Sequence, residues 1–406
     1  MSPQKSPQSS QVGQGGGGGA APAPTGLSIV LPCLNEERSV GQVVDAALQG
    51  IARLGIPGEV IVVDNGSTDR SAAIAAEHGA RVIREEERGY GAAIRRGFRE
   101  ARYSLMAMGD ADLTYDFTKI DELARPVLAG EADLVLGHRM KNILPGSMPW
   151  LHRAIGNPGF SVAMRVLFWN STVTDPHSGM RVISREAYRR LGCVTTGMEF
   201  ASEMVVRGFH EHLRIQEREI IYHPRVGESK LRSFEDGWRH LRFMVLHSPT
   251  VLLLVPGILC WFAAFAYSLW LSFGDLGFGP RGIPIGAFFA AGVMNIVSVQ
   301  LVTMGLLAKA YAHLSGLRND PLIARFYRLI TFEKATIFGG LFLAAAVGIA
   351  AVDYFTPLRP MWTQRRLFLA ASLGISGVQI MSSAYLFSIM ALPRHPERHG
   401  GAGRAR

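Results

Sequence analysis

The sequence predicts an α/β domain with a doubly wound sheet, followed by a helical membrane domain. Three observations carry this reading. Over residues 26–230, short Val- and Ile-rich runs alternate with segments whose apolar residues recur at helical spacing. Acidic and polar clusters sit where several of those runs end. Beyond residue 249 the chain turns into long apolar stretches. With 48% hydrophobic and 18% charged residues, the 406-residue chain is too apolar to be disordered and charge-poor for a simple soluble enzyme. Its three cysteines, Cys33, Cys193 and Cys260, are far apart and include no CxxC, which argues against a disulfide scaffold or a zinc module.

Residues 1–25 are Gln-, Ser-, Pro- and Gly-rich, with a run of glycines from Gly15 to Gly19. They cannot bury enough apolar surface to offset their ordering entropy and lack the apolar core of a signal peptide, so a disordered tail is expected. Strands are expected at 27–32 (LSIVLP), 59–64 (EVIVVD), 80–85 (ARVIRE), 104–112 (SLMAMGDAD) and 132–139 (ADLVLGHR). Helices are expected at Ser39–Leu54, Ser67–His78, with Ser67 as cap, and Tyr90–Arg102. Ligands of such sheets bind outside the carboxyl ends of the strands. Asn35-Glu36-Glu37, Asp64, Asp110, Asp112 and His138-Arg139 all fall there.

Residues 231–248 interleave Leu231, Phe234, Trp238, Leu241, Met244 and Val245 with Arg232, Arg239, His240 and Arg242, the pattern of an amphipathic helix at a membrane surface. A surface helix packed on its own domain would read similarly. Apolar stretches at Thr250–Phe273, Ile283–Ala308, Ala335–Val352 and Leu367–Leu392 predict a membrane domain of four helices over 249–392, ahead of a basic tail at 393–406. The loop Lys309–Lys334 and the tail are both basic, so the positive-inside rule sets them, and with them the α/β domain, in the cytoplasm. Arg359, Arg365 and Arg366 fall in a loop on the other side, where Arg365 and Arg366 can snorkel from a helix end.

Met108-Gly109-Asp110-Ala111-Asp112 is the strongest chemical signal. Two carboxylates two residues apart at a strand end suit a hard cation, Mg²⁺ or Mn²⁺, whose shell is completed by substrate phosphates. A solvated turn is the plain alternative. In Val62-Val63-Asp64-Asn65-Gly66-Ser67-Thr68-Asp69, the strand-end Asp64 can accept bonds from a nucleobase or ribose, or the segment is simply a capped turn. Pro32-Cys33-Leu34-Asn35-Glu36-Glu37 follows the first strand. Gly89-Tyr90-Gly91 has glycines that allow close backbone approach to a ligand, but it does not follow the first strand and so lacks the dinucleotide fingerprint.

In this order, PCLNEE, VVDNGSTD, GYGAAIRRG and GDADLTYD over residues 27–140 resemble the nucleotide-sugar half of an inverting family 2 glycosyltransferase with a GT-A fold. Thr174-Asp175-Pro176-His177-Ser178-Gly179-Met180-Arg181 and Arg225-Val226-Gly227-Glu228-Ser229-Lys230 resemble segments of polyprenyl-phosphate (dolichol-phosphate) sugar synthases. DADLTYDF, PWLHRAIGNP and GMEFASEM are similar to a bacterial dolichol-phosphate-glucose synthase-like subgroup. Two departures stand out. Thr114 occupies a position where such synthases often carry Gln, and Arg225 is one residue closer to Ser229-Lys230 than their pattern.

The resemblance implies transfer of a hexose from UDP-glucose or GDP-mannose to a polyprenyl phosphate in the bilayer by inverting single displacement. It implies nucleotide-sugar contacts from Pro32, Asn35, Glu36, Asp64, Gly89, Gly91 and Asp110. Asp110 and Asp112 would hold the Mg²⁺ or Mn²⁺. Arg139, Arg153, Arg181, Arg225, Ser229 and Lys230 would hold the acceptor phosphate. Asp112, Arg139, Asp175 and Lys230 are the expected catalytic set, with Glu199 and Glu203 in the region where other family members carry an acidic base. Nucleic acid is not among the expected partners, and a homo-oligomer stays open. Two rivals remain: a processive membrane polysaccharide synthase, whose QxxRW motif is not found, and a non-catalytic scaffold, against which the intact Asp64, Asp110 and Asp112 argue.

Overall fold

The computed structural model describes residues 23–169, 173–227, 233–272, 285–314, 325, 331–355 and 360–390. The expected tail up to residue 22, Ser229, Lys230, most of the 315–330 loop, Arg359 and the basic tail lie outside the described residues.

The five expected strands form as β1 (Leu27–Cys33), β2 (Gly58–Asp64), β3 (Arg81–Arg84), β4 (Leu105–Met108) and β5 (Leu134–His138). Two more, β6 (Arg181–Ser184) and β7 (Ile215–Glu219), join them in a single sheet of order β3-β2-β1-β4-β6-β5-β7. Successive side chains of the central strands point to opposite faces. Leu27, Ile29, Leu31, Val60 and Val62 pack under α1 (Val40–Leu54) and α4 (Ile120–Leu128). Val30, Ile61 and Val63 pack on the other face, where α3 (Tyr90–Glu100), α5 (Asn157–Phe168), α6 (Arg185–Leu191) and α7 (Phe200–His210) supply the cover. The central strands β1, β2 and β4 are therefore mostly apolar, as a sheet buried on both faces requires.

β6 is the exception to the expected parallel sheet. It runs antiparallel to both β4 and β5, with Arg181 opposite Met108 and Leu136. Parallel strands deliver their following loops to the carboxyl edge, and a reversed strand delivers its preceding loop to that same edge. Residues 175–180 thereby join the acidic segment after β4 and the His138-Arg139 segment after β5.

α2 (Ser71–Glu77) is shorter than expected, and Ser67 does not cap it. Residues 65–70 instead clasp the loop after β1. Ser67 Oγ accepts from Asn35 N at 3.0 Å, Thr68 N donates to Asn35 Oδ1 at 2.8 Å, and Asp69 Oδ2 accepts from Glu37 N at 3.2 Å. Side-chain oxygens here take up backbone donors that a helix would have used.

α8 (Ser233–Leu246) forms within the segment expected at 231–248 and packs on the α/β domain. His240, Phe243 and Met244 are buried on the α/β domain, while Trp238, Val245 and Leu246 are exposed. Four helices among the described residues are long and apolar enough to cross a membrane: Thr250–Ser268, Gly286–His313, Phe332–Phe355 and Arg366–Met390. Arg365 and Arg366 lie in the first turns of the helix Pro360–Met390. The third and fourth spans meet at Gly339 and Gly377, where a Cβ on Gly377 would lie 2.6 Å from the Gly339 carbonyl oxygen. Gln379 Nε2 donates to Gln300 Oε1 at 3.0 Å and ties the fourth span to the second.

Glu203, on α7, is fully buried. Its carboxylate accepts from Val194 N at 3.0 Å, Thr195 N at 2.8 Å and Arg207 Nε at 2.8 Å. Glu203, one of the two acidic residues in the region of the expected base, thus anchors a loop and pairs with Arg207. Glu203→Ala is expected to lower stability by about 3–5 kcal/mol, because it strands a buried guanidinium. Thermal unfolding of the detergent-solubilised protein would measure this, with Glu203→Gln recovering part of the loss.

Candidate active site

The carboxyl edge of the sheet gathers the segments after β1 to β5 and the loop before β6. β1 and β2 pair in register so that Cys33 faces Asp64, and Val30 of β1 faces Met108 of β4. Ser39 Oγ donates to the Ala111 carbonyl at 2.8 Å, joining the start of α1 to the acidic segment. Asp64 is buried and accepts from Ser67 N at 2.9 Å. Asn65 spans three backbone segments: its amide donates to the carbonyls of Glu85 (3.1 Å) and Glu87 (2.7 Å) and its carbonyl accepts from Gly89 N (2.7 Å).

Asp110 and Asp112 follow β4. Asp112 is almost wholly buried; its Oδ1 accepts from Thr114 N (3.1 Å) and Thr114 Oγ1 (2.6 Å), and its Oδ2 from Arg225 Nε (2.6 Å). Asp110 is half-buried and bonded to the Tyr90 hydroxyl. Burial and the neighbouring Asp112 carboxylate push its carboxyl up to about 7. The pair fits a divalent cation: Mg²⁺ is commonly held by one or two carboxylates together with substrate phosphates. No group of three or more His, Cys, Asp or Glu ligands occurs among the described residues, so phosphate and water would complete the shell. The Thr114 hydroxyl is engaged with Asp112 and orients that carboxylate.

Arg139 and Asp175 form a bidentate pair beside the acidic segment. Arg139 Nε and Nη2 donate to Asp175 Oδ2 (2.9 Å) and Oδ1 (2.7 Å), and Arg139 N also donates to Oδ2 (2.9 Å). Both residues are buried. The guanidinium carbon lies 5.2 Å from the centroid of the Tyr222 ring. Glu217 of β7 fixes the segment beneath, accepting from Asp175 N and Thr174 N, each at 2.8 Å. Burial alone would raise the Asp175 carboxyl, but Arg139 overrides it and holds the group below the usual carboxylate range.

A glycosyltransferase family 2 model matches residues 28–192, and the model of the family 2 C-terminal transmembrane region matches residues 306–391. The hexosyltransferase Agl6 of low-salt glycan biosynthesis in Haloferax volcanii is 40% identical over 336 residues, spanning 82% of this chain and 80% of its own. The chain belongs to glycosyltransferase family 2. A dolichyl-phosphate hexose transferase of Haloferax volcanii is 33% identical over 214 residues, 52% of this chain and 89% of its own. Among solved structures, glucosyl-3-phosphoglycerate synthase from Mycobacterium tuberculosis, in complex with Mn²⁺, UDP and its glucosylated product, aligns over 56% of this chain and 80% of its own at 22% identity and a TM-score of 0.43.

Within this family 2 enzyme, several expected site residues have other partners. Arg181 is fully buried, and its guanidinium donates to the carbonyls of Ser178 (2.8 Å), Ala201 (2.7 Å) and Pro176 (2.7 Å). Burial pushes it down to about 10. It braces the 175–180 loop and does not face an acceptor phosphate. Gly89 and Gly91 are needed for protein packing: a Cβ on Gly91 would lie 2.6 Å from the Thr195 carbonyl oxygen, and one on Gly89 would overlap that of Thr196. Arg153 is exposed in a π-helical turn ahead of α5. Arg225 does join the site, but as the partner of Asp112. Ser229 and Lys230 lie outside the described residues.

Three tyrosines were missed. Tyr90 touches Asp110, Tyr115 accepts from Gly179 N at 2.7 Å, and Tyr222 backs Arg139. Tyr90 stands inside the glycine motif and was findable there. Tyr115 and Tyr222 meet through an isolated antiparallel bridge between distant segments, which sequence spacing does not reveal.

Two outcomes are expected. Arg225→Met frees one oxygen of Asp112, so Mn²⁺ should bind about tenfold more tightly in the absence of nucleotide, as read by electron paramagnetic resonance titration. Asp175→Asn should cost about 3–5 kcal/mol at neutral pH. Because the folded carboxyl lies below its ordinary value of 3.8, the wild type's advantage is full above that pH. It should fade as the pH falls through the depressed value, visible as converging melting curves.

Proposed function

We propose that the protein transfers a hexose from a nucleotide diphosphate sugar, UDP-glucose or GDP-mannose, to a polyprenyl phosphate at the cytoplasmic membrane face. One observation carries this reading above the others: the acidic pair Asp110/Asp112 and the cations Arg139 and Arg225 share one sheet edge in a chain that runs on into four apolar helices. The similarity to a dolichyl-phosphate hexose transferase supports the same acceptor class. Similarity to the hexosyltransferase Agl6 extends over four-fifths of this chain, in keeping with a hexose donor.

In this reading Asp110 and Asp112 hold Mg²⁺ or Mn²⁺, which when bound offsets the charge that develops on the departing diphosphate. Asp64 and the loop clasped around Asn35 and Glu36 bind the nucleoside. Arg139, held rigid by Asp175 and Tyr222, and Arg225 draw in the acceptor phosphate. That phosphate is already ionised at neutral pH, so no protein base is required, which agrees with the structural engagement of Glu203. Its oxygen attacks the anomeric carbon in line and the nucleoside diphosphate leaves, so an α-linked donor yields a β-linked lipid product. Positioning and charge supply the rate.

Membranes containing the protein should convert one labelled nucleotide sugar into a labelled lipid when polyprenyl phosphate and Mg²⁺ or Mn²⁺ are supplied. Asp112→Ala and chelation by EDTA should each lower that rate by at least about 10²-fold. A polymer in place of a single-sugar lipid would favour a processive synthase. Donor binding without turnover would favour a scaffold.

A further inference from the structure

We infer that His177, Ser202 and His240 form a buried relay of hydrogen bonds that positions the Asp175 loop, and through it Arg139, for the acceptor phosphate. The three residues come from separate parts of the α/β domain. His177 stands two residues after Asp175 in the loop before β6, Ser202 in the first turn of α7, and His240 near the middle of α8. His177 Nε2 lies 3.1 Å from Ser202 Oγ, and His240 Nδ1 lies 2.7 Å from the same oxygen. The two imidazoles meet edge to face with centroids 4.5 Å apart. The Phe160 ring of α5 closes the cluster, 4.8 Å from the His177 ring and 6.1 Å from that of His240. Three helices thus converge on one side chain of the loop.

Hydrogen counting sets the direction of both bonds. A neutral imidazole carries one N–H and one lone pair, and a serine hydroxyl donates once. His177 Nδ1 is buried with no partner among the described residues. Orphaned buried N–H groups are rarer in folded proteins than under-used acceptors. The His177 proton therefore sits on Nε2 and is donated to Ser202 Oγ. The Ser202 hydroxyl then donates to His240 Nδ1, which leaves the His240 proton on Nε2. Both rings are neutral at pH 7. Burial pushes His240 down to about 4, and burial, with His240, Arg139 and Arg181 nearby, holds His177 well below the ordinary imidazole range. A buried polar chain of this kind admits one arrangement of the segments it joins.

The loop reaches the site through Asp175. That carboxylate takes three bonds from Arg139, and Arg181 holds the carbonyls of Pro176 and Ser178 on either side of His177. Arg181 braces the loop from within, and the relay holds it from the side of α7 and α8. The segments around Asp64 are tied to one another instead, through Ser67, Asn35 and Asn65. Loss of the relay should therefore loosen Arg139 and leave the nucleotide side in place. This consequence rests on the acceptor proposed above.

The test uses the full chain in proteoliposomes. With polyprenyl phosphate and the labelled nucleotide sugar, Ser202→Ala and His240→Leu should each raise the polyprenyl phosphate needed for half-maximal turnover about tenfold, with the donor requirement unchanged. Conservative variants should follow the direction of the bonds. Gln places an N–H where His carries Nε2, and Asn places an oxygen where His carries Nδ1. His177→Gln and His240→Asn should therefore recover most of the loss, and His177→Asn and His240→Gln should not. Equal behaviour of Asn and Gln at both positions would overturn the inference. So would a donor requirement that rises as much as the acceptor's, because a general loosening of the fold predicts that result. Nitrogen NMR spectra of protein carrying labelled histidine test the relay without turnover. The signals of His177 and His240, assigned by their loss in the two conservative variants, should show a bare Nδ1 and a protonated Nε2 at neutral pH. A protonated Nδ1 or a charged ring at either position would sink the relay. A wild type that labels no lipid would remove the acceptor reading and the link to Arg139 with it, and the spectra would still judge the relay by itself.

Discussion

A guanidinium and a carboxylate withdrawn from water cost several kcal/mol each unless they face one another with good geometry. Arg139 and Asp175 meet that condition through three donated hydrogen bonds, and much of the carboxyl edge is arranged around them. Glu217 fixes the backbone beneath Asp175, Tyr222 backs the guanidinium, and Arg181 braces the loop that carries Asp175 from within. Net stabilisation is a weak reason for such a pair. Its better-supported use is to admit only one arrangement of the segments that carry it. The segments concerned come from β5, β7 and the approach to β6, so a single contact fixes three chain crossings.

The β1–β2 side of the edge is organised differently. There, short polar side chains from one loop take the backbone donors of the next, so that Asn35, Ser67, Asp69 and Ser71 stitch the ends of β1 and β2 together. Asn65 does the same for residues 85–89. These bonds are modest individually, but together they place rigid backbone next to Asp64. One half of the edge is held by ion pairing and the other by amide and hydroxyl bonds.

Much of this was legible in the sequence. β1, β2, β4 and β5 announced themselves as short apolar runs, because burial on both faces leaves little room for polar alternation, and β3 as a Val-Ile pair between arginines. Asp64, Asp110, Asp112, Arg139 and Asp175 were found because they follow such runs or stand in recognisable motifs. β6 and β7 were not. β6 is only four residues long and runs against its neighbours, and β7 reads Ile-Gln-Glu-Arg-Glu, a polar edge strand. The errors in the site share one cause. Arg181, Glu203, Gly89 and Gly91 stand in or near motifs, yet their partners are carbonyls, amides and a guanidinium elsewhere in the protein, and a motif does not say whether a residue faces ligand or chain.

The approach of Gly339 to Gly377 leaves no space for even a methyl group between the third and fourth spans. Helices this close cannot turn about their axes without their backbones colliding, so the fourth span is set at one angle. That angle carries Gln379 toward Gln300 on the second span, where one amide donates to the other. Two missing side chains in one place thus determine which way a long side chain faces in another, and the membrane domain inherits its register from the smallest residues it contains.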